Sequence, residues 1–436
     1  MSNKRVLVVG TTADYIDIIN RRFPEKAIFV TDFKQRSNTA EVPPDAKDEL
    51  LCDLSKHEQV LAALKAHLNQ WQIELTGIAC FDCESMLVSS FIAHSFGLCY
   101  PSADAIMACR SKYTCKKLWQ RANLSCPAVE LVNNASDAVN FMQKINGDVV
   151  LKPLTGSGSE LVFSCSTKDQ CVAAFNTLQS KLANHPDSRM YELFTCDGKL
   201  VDPRKVFVIE ELIQGDEYSC DFTIDGDKVE IIRIALKIID TKQAFGTTLA
   251  YILPGLLPQG LDKDTLGNQL RTAAKSLGLD RTVCMVDFIV RNNHAHMIEL
   301  APRPGGDCLP PLLLNSCGID ILERTLEFAQ GHPFLPDRAL QWRLLVGVRL
   351  FATCGGEITK IDTSTLLKDG RVVECYLKRE PGHQVVLPPE DYDSRIIGHV
   401  IFTPTSYESI KSESIEIASK LKIEMKRPVC ATVNQS

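Results

Sequence analysis

The stretch MVDFIVRNNHAHMIELAPRPGGD, from Met285 to Asp307, sets two carboxylates inside apolar runs and ends on an arginine and Gly-Gly-Asp. Carboxylates among apolar side chains are costly unless a cation compensates them. VDFIV and HMIEL read as two strands about a turn near Asn292, Asn293 and His294. If the hairpin pivots on Asn293, Asp287 lies directly opposite Glu299 and both side chains share one face. A shift of one residue puts them on opposite faces. Two carboxylates on one face repel unless a cation lies between them. Oxygen ligands alone suit Mg²⁺, which takes one or two carboxylates and fills its shell with phosphate oxygens and water. Mn²⁺ suits the same ligands. A solvated pair of edge-strand acids is the alternative.

A second candidate is Lys152 in VVLKPLTGSGS. It ends an apolar strand and is followed by a loop containing Gly156, Ser157 and Gly158. Such loops let successive N–H groups converge on an anion, and a lysine beside them completes a phosphate clamp. The alternative is a plain hairpin turn with a snorkelling lysine. A third candidate is VFVIEELIQGDEY. Glu210 and Glu211 end a strand that runs into Leu212 and Ile213, an apolar slot with backbone groups at its edge. Glu217 is a nearby hydrogen-bond acceptor. Adenine and ribose need those two things.

These residues must be positioned by an alternating pattern of elements. KRVLVVG, AIFVTD and TGIACFD read as strands, separated by helical stretches such as HEQVLAALKAHLNQW. SMLVSSFIAHSFG is helical and stops at Gly97, a good helix C-terminus. Alternation of this kind predicts a parallel, Rossmann-like sheet with right-handed crossovers. There is no GxGxxG and no GxxxxGK[ST], so a dinucleotide site and a P-loop are both poorly supported. SKYTCKKLWQRANL is a basic amphipathic helix, VVLKPLTGSGSELVFSC a hairpin, and SKLANHPDSRMYELFTCDGKLVDPR a polar, exposed excursion. From about Asp337 the chain is strand-rich with one late helix. The predicted units are an N-terminal α/β domain over residues 1–108, a central domain over 109–336 with a lid at about 125–212, and a C-terminal α+β domain over 337–436.

The chain has 436 residues and a net charge of −6, which leaves no basic surplus to hold a nucleic-acid backbone. No apolar run is long enough to span a membrane, and the first residues read as a strand rather than a secretion signal. Seventeen cysteines without such a signal predict free core thiols in a reducing, cytoplasmic setting. The one CxxC, Cys80 to Cys83, lacks a second pair for zinc and is read as structural.

Taken in order, these motifs resemble the ATP-grasp family of carboxylate–amine ligases. SKYTCKKLWQRANLSCPA is similar to the helix carrying an ATP-binding lysine, here Lys112. VVLKPLTGSGS resembles the second-lysine strand and phosphate lid, VFVIEELIQGDEY the adenine hinge with its ribose-binding acid, and MVDFIV…MIELAPRPGGD the metal-binding strands. The Pro-Gly-Gly-Asp end and GGEITKI are most like L-amino-acid ligases and carnosine-synthase-like enzymes. The resemblance implies the ATP-grasp fold, with ATP and Mg²⁺ as cofactors and a small-molecule carboxylate and amine as substrates. A homodimer is the assembly it suggests. It implies amide formation that joins an amino acid to an amino acid or amine through an acylphosphate, with release of ADP and phosphate: Lys112 and Lys152 on phosphates, Asp287 and Glu299 on the metal, and Arg303 on the acylphosphate. The simpler expectation for Arg303 is a salt bridge to Asp307. The family has Glu where this chain has Asp287, and commonly Asn where it has Ala301, so one well-held Mg²⁺ is expected rather than two. Biotin-carboxylase-like carboxylation and a non-catalytic nucleotide-binding protein are the alternatives.

Overall fold

A computed structural model describes residues 3–426 apart from 38, 40 and 338. The chain begins as a parallel sheet of four strands, in the order Glu49–Cys52, Ala27–Asp32, Asn3–Val9 and Ile73–Ala79. Its central strand is apolar at every position from Val6 to Val9 because both faces are covered. Leu7 and Val9 face the helices His57–Trp71 and Met86–Phe96. Val6 and Val8 pack with Leu322 and Leu326 of the helix Ile321–Ala329, which joins this sheet to the rest of the molecule. Gly97 takes the left-handed conformation, at φ 65°, that ends the helix Met86–Phe96.

Next comes a smaller antiparallel sheet of Val129–Val132, Phe207–Glu211, Val149–Pro153 and Phe163–Cys165. The helices Ala135–Ile145 and Lys168–Ala183 cover one of its faces around Phe141, Phe175 and Leu178. The stretch expected to be an exposed excursion is only partly so. It continues that second helix, buries Met190 and Tyr191 against the same core, and forms a short hairpin of Phe194–Cys196 with Lys199–Val201. Two apolar anchors in a polar segment carry too little periodicity to be read from sequence.

The third layer is an eight-stranded antiparallel sheet in the order His294–Ala301, Arg281–Arg291, Asp216–Asp225, Lys228–Ile239, Thr248–Leu253, Leu345–Phe351, Ile396–Phe402 and Val372–Leu377. The last three of these strands come from the strand-rich C-terminal part and continue the sheet. Thr248–Leu253 pairs with Leu345–Phe351 across that junction. A three-stranded sheet of Gln384–Val385, Gly356–Asp362 and Lys422–Lys426 closes the C-terminal end. No helix among the described residues is long and apolar enough to cross a membrane.

Candidate functional site

The small sheet and the large sheet face each other across a cleft. Lys112, Lys152, Gly156, Ser157, Gly158, Glu210, Glu211, Leu212, Ile213, Glu217, Asp287 and Glu299 all line it. Only Arg303, of the residues singled out from sequence, lies outside.

The floor of the cleft is the large sheet. Asp287 and Glu299 are direct partners on neighbouring strands, but not for the reason expected from the sequence. The turn is the pair Asn292–Asn293, both with positive φ (54° and 63°), as a two-residue hairpin connection requires. It pairs Arg291 with His294 and Phe288 with Met297, a register that would set Asp287 against Ile298. A bulge shifts the ladder between Asp287 and Phe288, so that Ile298 is the extra residue and Glu299 comes opposite Asp287.

Lys237, which sequence reading missed, reaches across the same face. Its Nζ lies 2.6 Å from Asp287 Oδ2 and 3.9 Å from Glu217. Burial works against the Lys237 charge, yet Asp287 and its neighbours hold its pKa above the ordinary lysine value. Burial raises the pKa of Glu217. Glu299 is driven up by burial but more strongly down by Lys112, Lys152 and Lys237, and remains a carboxylate. The second oxygen of Asp287, Oδ1, is buried with no hydrogen-bond partner. An orphaned carboxylate oxygen facing a second carboxylate fits a divalent cation completed by phosphate oxygens. Among the described residues, no cluster of three or more His, Cys, Asp or Glu groups offers a fuller protein cage.

The roof is built from lysines. The helix Lys112–Arg121 starts on Ser111, whose hydroxyl caps the Thr114 N–H. Lys112 and Lys116 are four residues apart and so share a face of that helix. Lys112 Nζ donates to the Gly156 carbonyl at 2.9 Å. Lys152 Nζ lies 2.7 Å from Glu210 Oε2, and Lys116 Nζ lies 2.7 Å from Glu210 Oε1. Burial lowers the Lys112 pKa, and it depresses Lys152 to about 8 despite Glu210. Burial also opposes the charge on Glu210, but Lys116 and Lys152 outweigh it and keep its pKa below the usual range. The Glu210 side chain is thus committed to two lysines. In the hinge, the N–H groups of Glu211 and Leu212 donate to Ala128 and Asp148. Lys116 was not found from the motifs, although its spacing from Lys112 was visible.

Over the roof runs the glycine loop. Gly156 and Gly158 have φ of 122° and 68°, and Ser159 follows at 57°. A Cβ on Gly156 would sit 3.1 Å from the Tyr191 hydroxyl. Backbone in this region turns N–H groups toward a common point, as an anion nest requires. Ser157 donates to Glu84 at 3.3 Å, which ties the loop to the connection after the strand Ile73–Ala79, and Arg189, outside the loop, donates to Ser85 in the same connection at 2.9 Å.

Arg303 lies at the junction with that sheet. Its Nε is 3.0 Å from Cys83 Sγ, and its Nη1 donates to the Pro304 carbonyl at 2.8 Å. The alternative for Arg303, a bridge to Asp307, is absent, because Asp307 pairs with Arg349 at 2.6 Å. The backbone turns sharply between the two residues. The Gly305 N–H donates to Asp221, which is itself buried in an ion pair with Arg233 at 2.7 Å. A Cβ on Gly305 would come within 2.5 Å of that guanidinium. Burial opposes the Arg303 charge, but Cys83 and Glu84 keep its pKa above the ordinary value. Cys80 is buried and Cys83 partly so, and the cysteines of the described residues are free thiols, most of them in the core.

The family model of the ATP-grasp domain matches residues 145–311. None of the curated protein sequences matches this chain. Among solved structures, an L-amino acid ligase from Bacillus licheniformis superposes with a TM-score of 0.75 at 16% identity, covering 98% of this chain and 100% of that one. A phosphoribosylglycinamide synthetase from Anaerococcus prevotii gives 0.63 at 18% identity, covering 97% and 100%. The biotin carboxylase domain of 2-oxoglutarate carboxylase from Hydrogenobacter thermophilus, in complex with MgADP, ADP and bicarbonate, gives 0.66 at 16%, covering 97% and 90%. Identities this low speak to fold, and with the domain match they make one statement: the chain carries an ATP-grasp domain and has the ATP-grasp fold over nearly its whole length.

Proposed function

We propose that this protein is an ATP-dependent carboxylate–amine ligase that joins an amino acid to an amino acid or amine and releases ADP and phosphate. The observation that carries the reading is the pairing of Asp287 with Glu299 beneath Lys112, Lys152 and the Gly156–Gly158 loop in one cleft. Phosphoryl transfer asks for positioning and charge neutralisation more than covalent help. In this reading Leu212 and Ile213 flank the adenine, Glu217 accepts from the ribose, and Lys112 and Lys152 neutralise the phosphates. Asp287 and Glu299 hold Mg²⁺, which when bound neutralises charge on the phosphate oxygens.

The substrate carboxylate attacks the γ-phosphorus to give an acylphosphate, and an amine then displaces phosphate. Arg303 stabilises the acylphosphate and the oxyanion formed as the amine adds. The glycine loop, held to Glu84 through Ser157, excludes water from the acylphosphate. The fold shared with an L-amino acid ligase supports amino acids as substrates. The free thiols support a reducing, cytoplasmic setting. The test is ADP release over a matrix of amino acids and amines. Acid-dependent ADP release with an amide product is expected. Release that needs bicarbonate instead of an organic acid would move the reading to carboxylation.

A further inference from the structure

Behind the cleft, Lys116 is more deeply buried than the two charges it stands beside. Its side chain is 0% exposed, beside 3% for Glu210 and 7% for Lys152. It does not line the cleft, so it is placed to act through other groups. Two such groups lie against its Nζ. One is Glu210, shared with Lys152. The other is the Ile298 carbonyl, which accepts from Lys116 Nζ at 2.6 Å and belongs to the bulge residue that brings Glu299 opposite Asp287.

The arrangement has two cations on one buried carboxylate. With Lys152 alone, Glu210 would form a closed pair. Any phosphate that drew Lys152 away would leave an uncompensated carboxylate at a fully buried site, which is strongly unfavourable. With Lys116 present, Glu210 stays neutralised whichever way Lys152 turns. Lys116 is less free to make the same move, because the Ile298 carbonyl also holds its Nζ.

We propose that Lys116 is a positioning residue, a resident counter-ion that keeps Glu210 compensated while Lys152 passes from Glu210 to a phosphate of the bound nucleotide. This rests on the reading that the cleft binds ATP. It makes Glu210 a competitor for Lys152 rather than an adenine ligand. It also separates Lys116 from a merely structural ion pair, because the effect of losing it must depend on whether Glu210 is charged.

The experiment is calorimetric titration of the full chain with ATP and, separately, with adenosine, so that the ratio of affinities isolates the phosphate contribution. In Lys116→Met the ratio should fall on the order of tenfold, the size of coupling seen between contacting charged residues. Lys116→Arg, which keeps the charge, should stay close to wild type. The double variant Lys116→Met with Glu210→Gln should recover most of the loss, since the competing carboxylate is gone. A double variant no better than Lys116→Met, or equal losses for ATP and adenosine, overturns the proposal. If Lys116→Met does not fold, Glu210→Gln alone decides: its ratio should equal or exceed the wild-type value, and a lower one overturns the proposal. Wild type that binds no ATP removes the reading of the cleft itself. Wild type that binds ATP and loses the phosphate contribution in Lys152→Met, with no recovery in the double variant, removes only the role of Lys116.

Discussion

Asp287 and Glu299 face each other because Ile298 is an extra residue in the ladder between them. The two-residue turn at Asn292–Asn293 alone would turn Glu299 to the opposite face of the sheet. Bulges re-aim side chains in this way, and here the bulge brings two acids onto the floor of one cleft.

Glu299→Gln keeps size and removes charge. ATP turnover should fall on the order of a hundredfold or more while the fold survives. Binding of Mn²⁺ in the presence of ATP, followed by electron paramagnetic resonance, should weaken in parallel. Wild-type turnover at matched Mg²⁺ would sink the metal assignment.

Lys152 supplies a pH dependence. With its pKa depressed to about 8, the free protein loses this charge as pH rises through that value. Phosphate favours the charged form, so ATP affinity should decline above pH 8 and binding there should take up a proton. Titrations in buffers of different ionisation heat measure that uptake. For stability the sign is opposite. A lysine whose pKa is lowered by folding weighs against the folded state below pH 8, and that weight lifts between about 8 and 10.5. Lys152→Met should abolish the proton uptake and weaken ATP while sparing adenosine. An unchanged uptake would assign the titration to another group.

Arg303→Ala should bind ATP almost normally and lose the acid-dependent step. Removal of one such donor costs about 3 kcal/mol, roughly two orders of magnitude in rate. Phosphorus NMR of the wild-type reaction should show ADP and phosphate. AMP and pyrophosphate as main products would rule out the acylphosphate route.

Gly305→Ala places a Cβ against the buried Arg233–Asp221 pair. Overpacking of this kind costs about 1–3 kcal/mol, so the thermal midpoint should drop, with Arg303-dependent activity falling too. An unchanged midpoint would mean that the Pro304–Gly306 turn relaxes freely.

The chemical character of each segment was legible in its residue types. The alternation of strands and helices up to Gly97 specified a parallel sheet, because hydrophobic period is a local property. Lys152 before Gly156-Ser157-Gly158, and the two acids in apolar runs, were legible because each motif lies on one short segment whose residue types limit its backbone. The remaining features depend on which segments meet in the folded chain. The opposition of Asp287 and Glu299 hung on a bulge with no signature in residue type. Lys237 became a site residue only when its strand was set two strands away from Asp287. Glu210 changed from a hinge acid into a partner of two lysines, and Asp307 took Arg349 instead of Arg303, because charges pair with whatever folding brings within a few ångströms and sequence distance does not enter that energy.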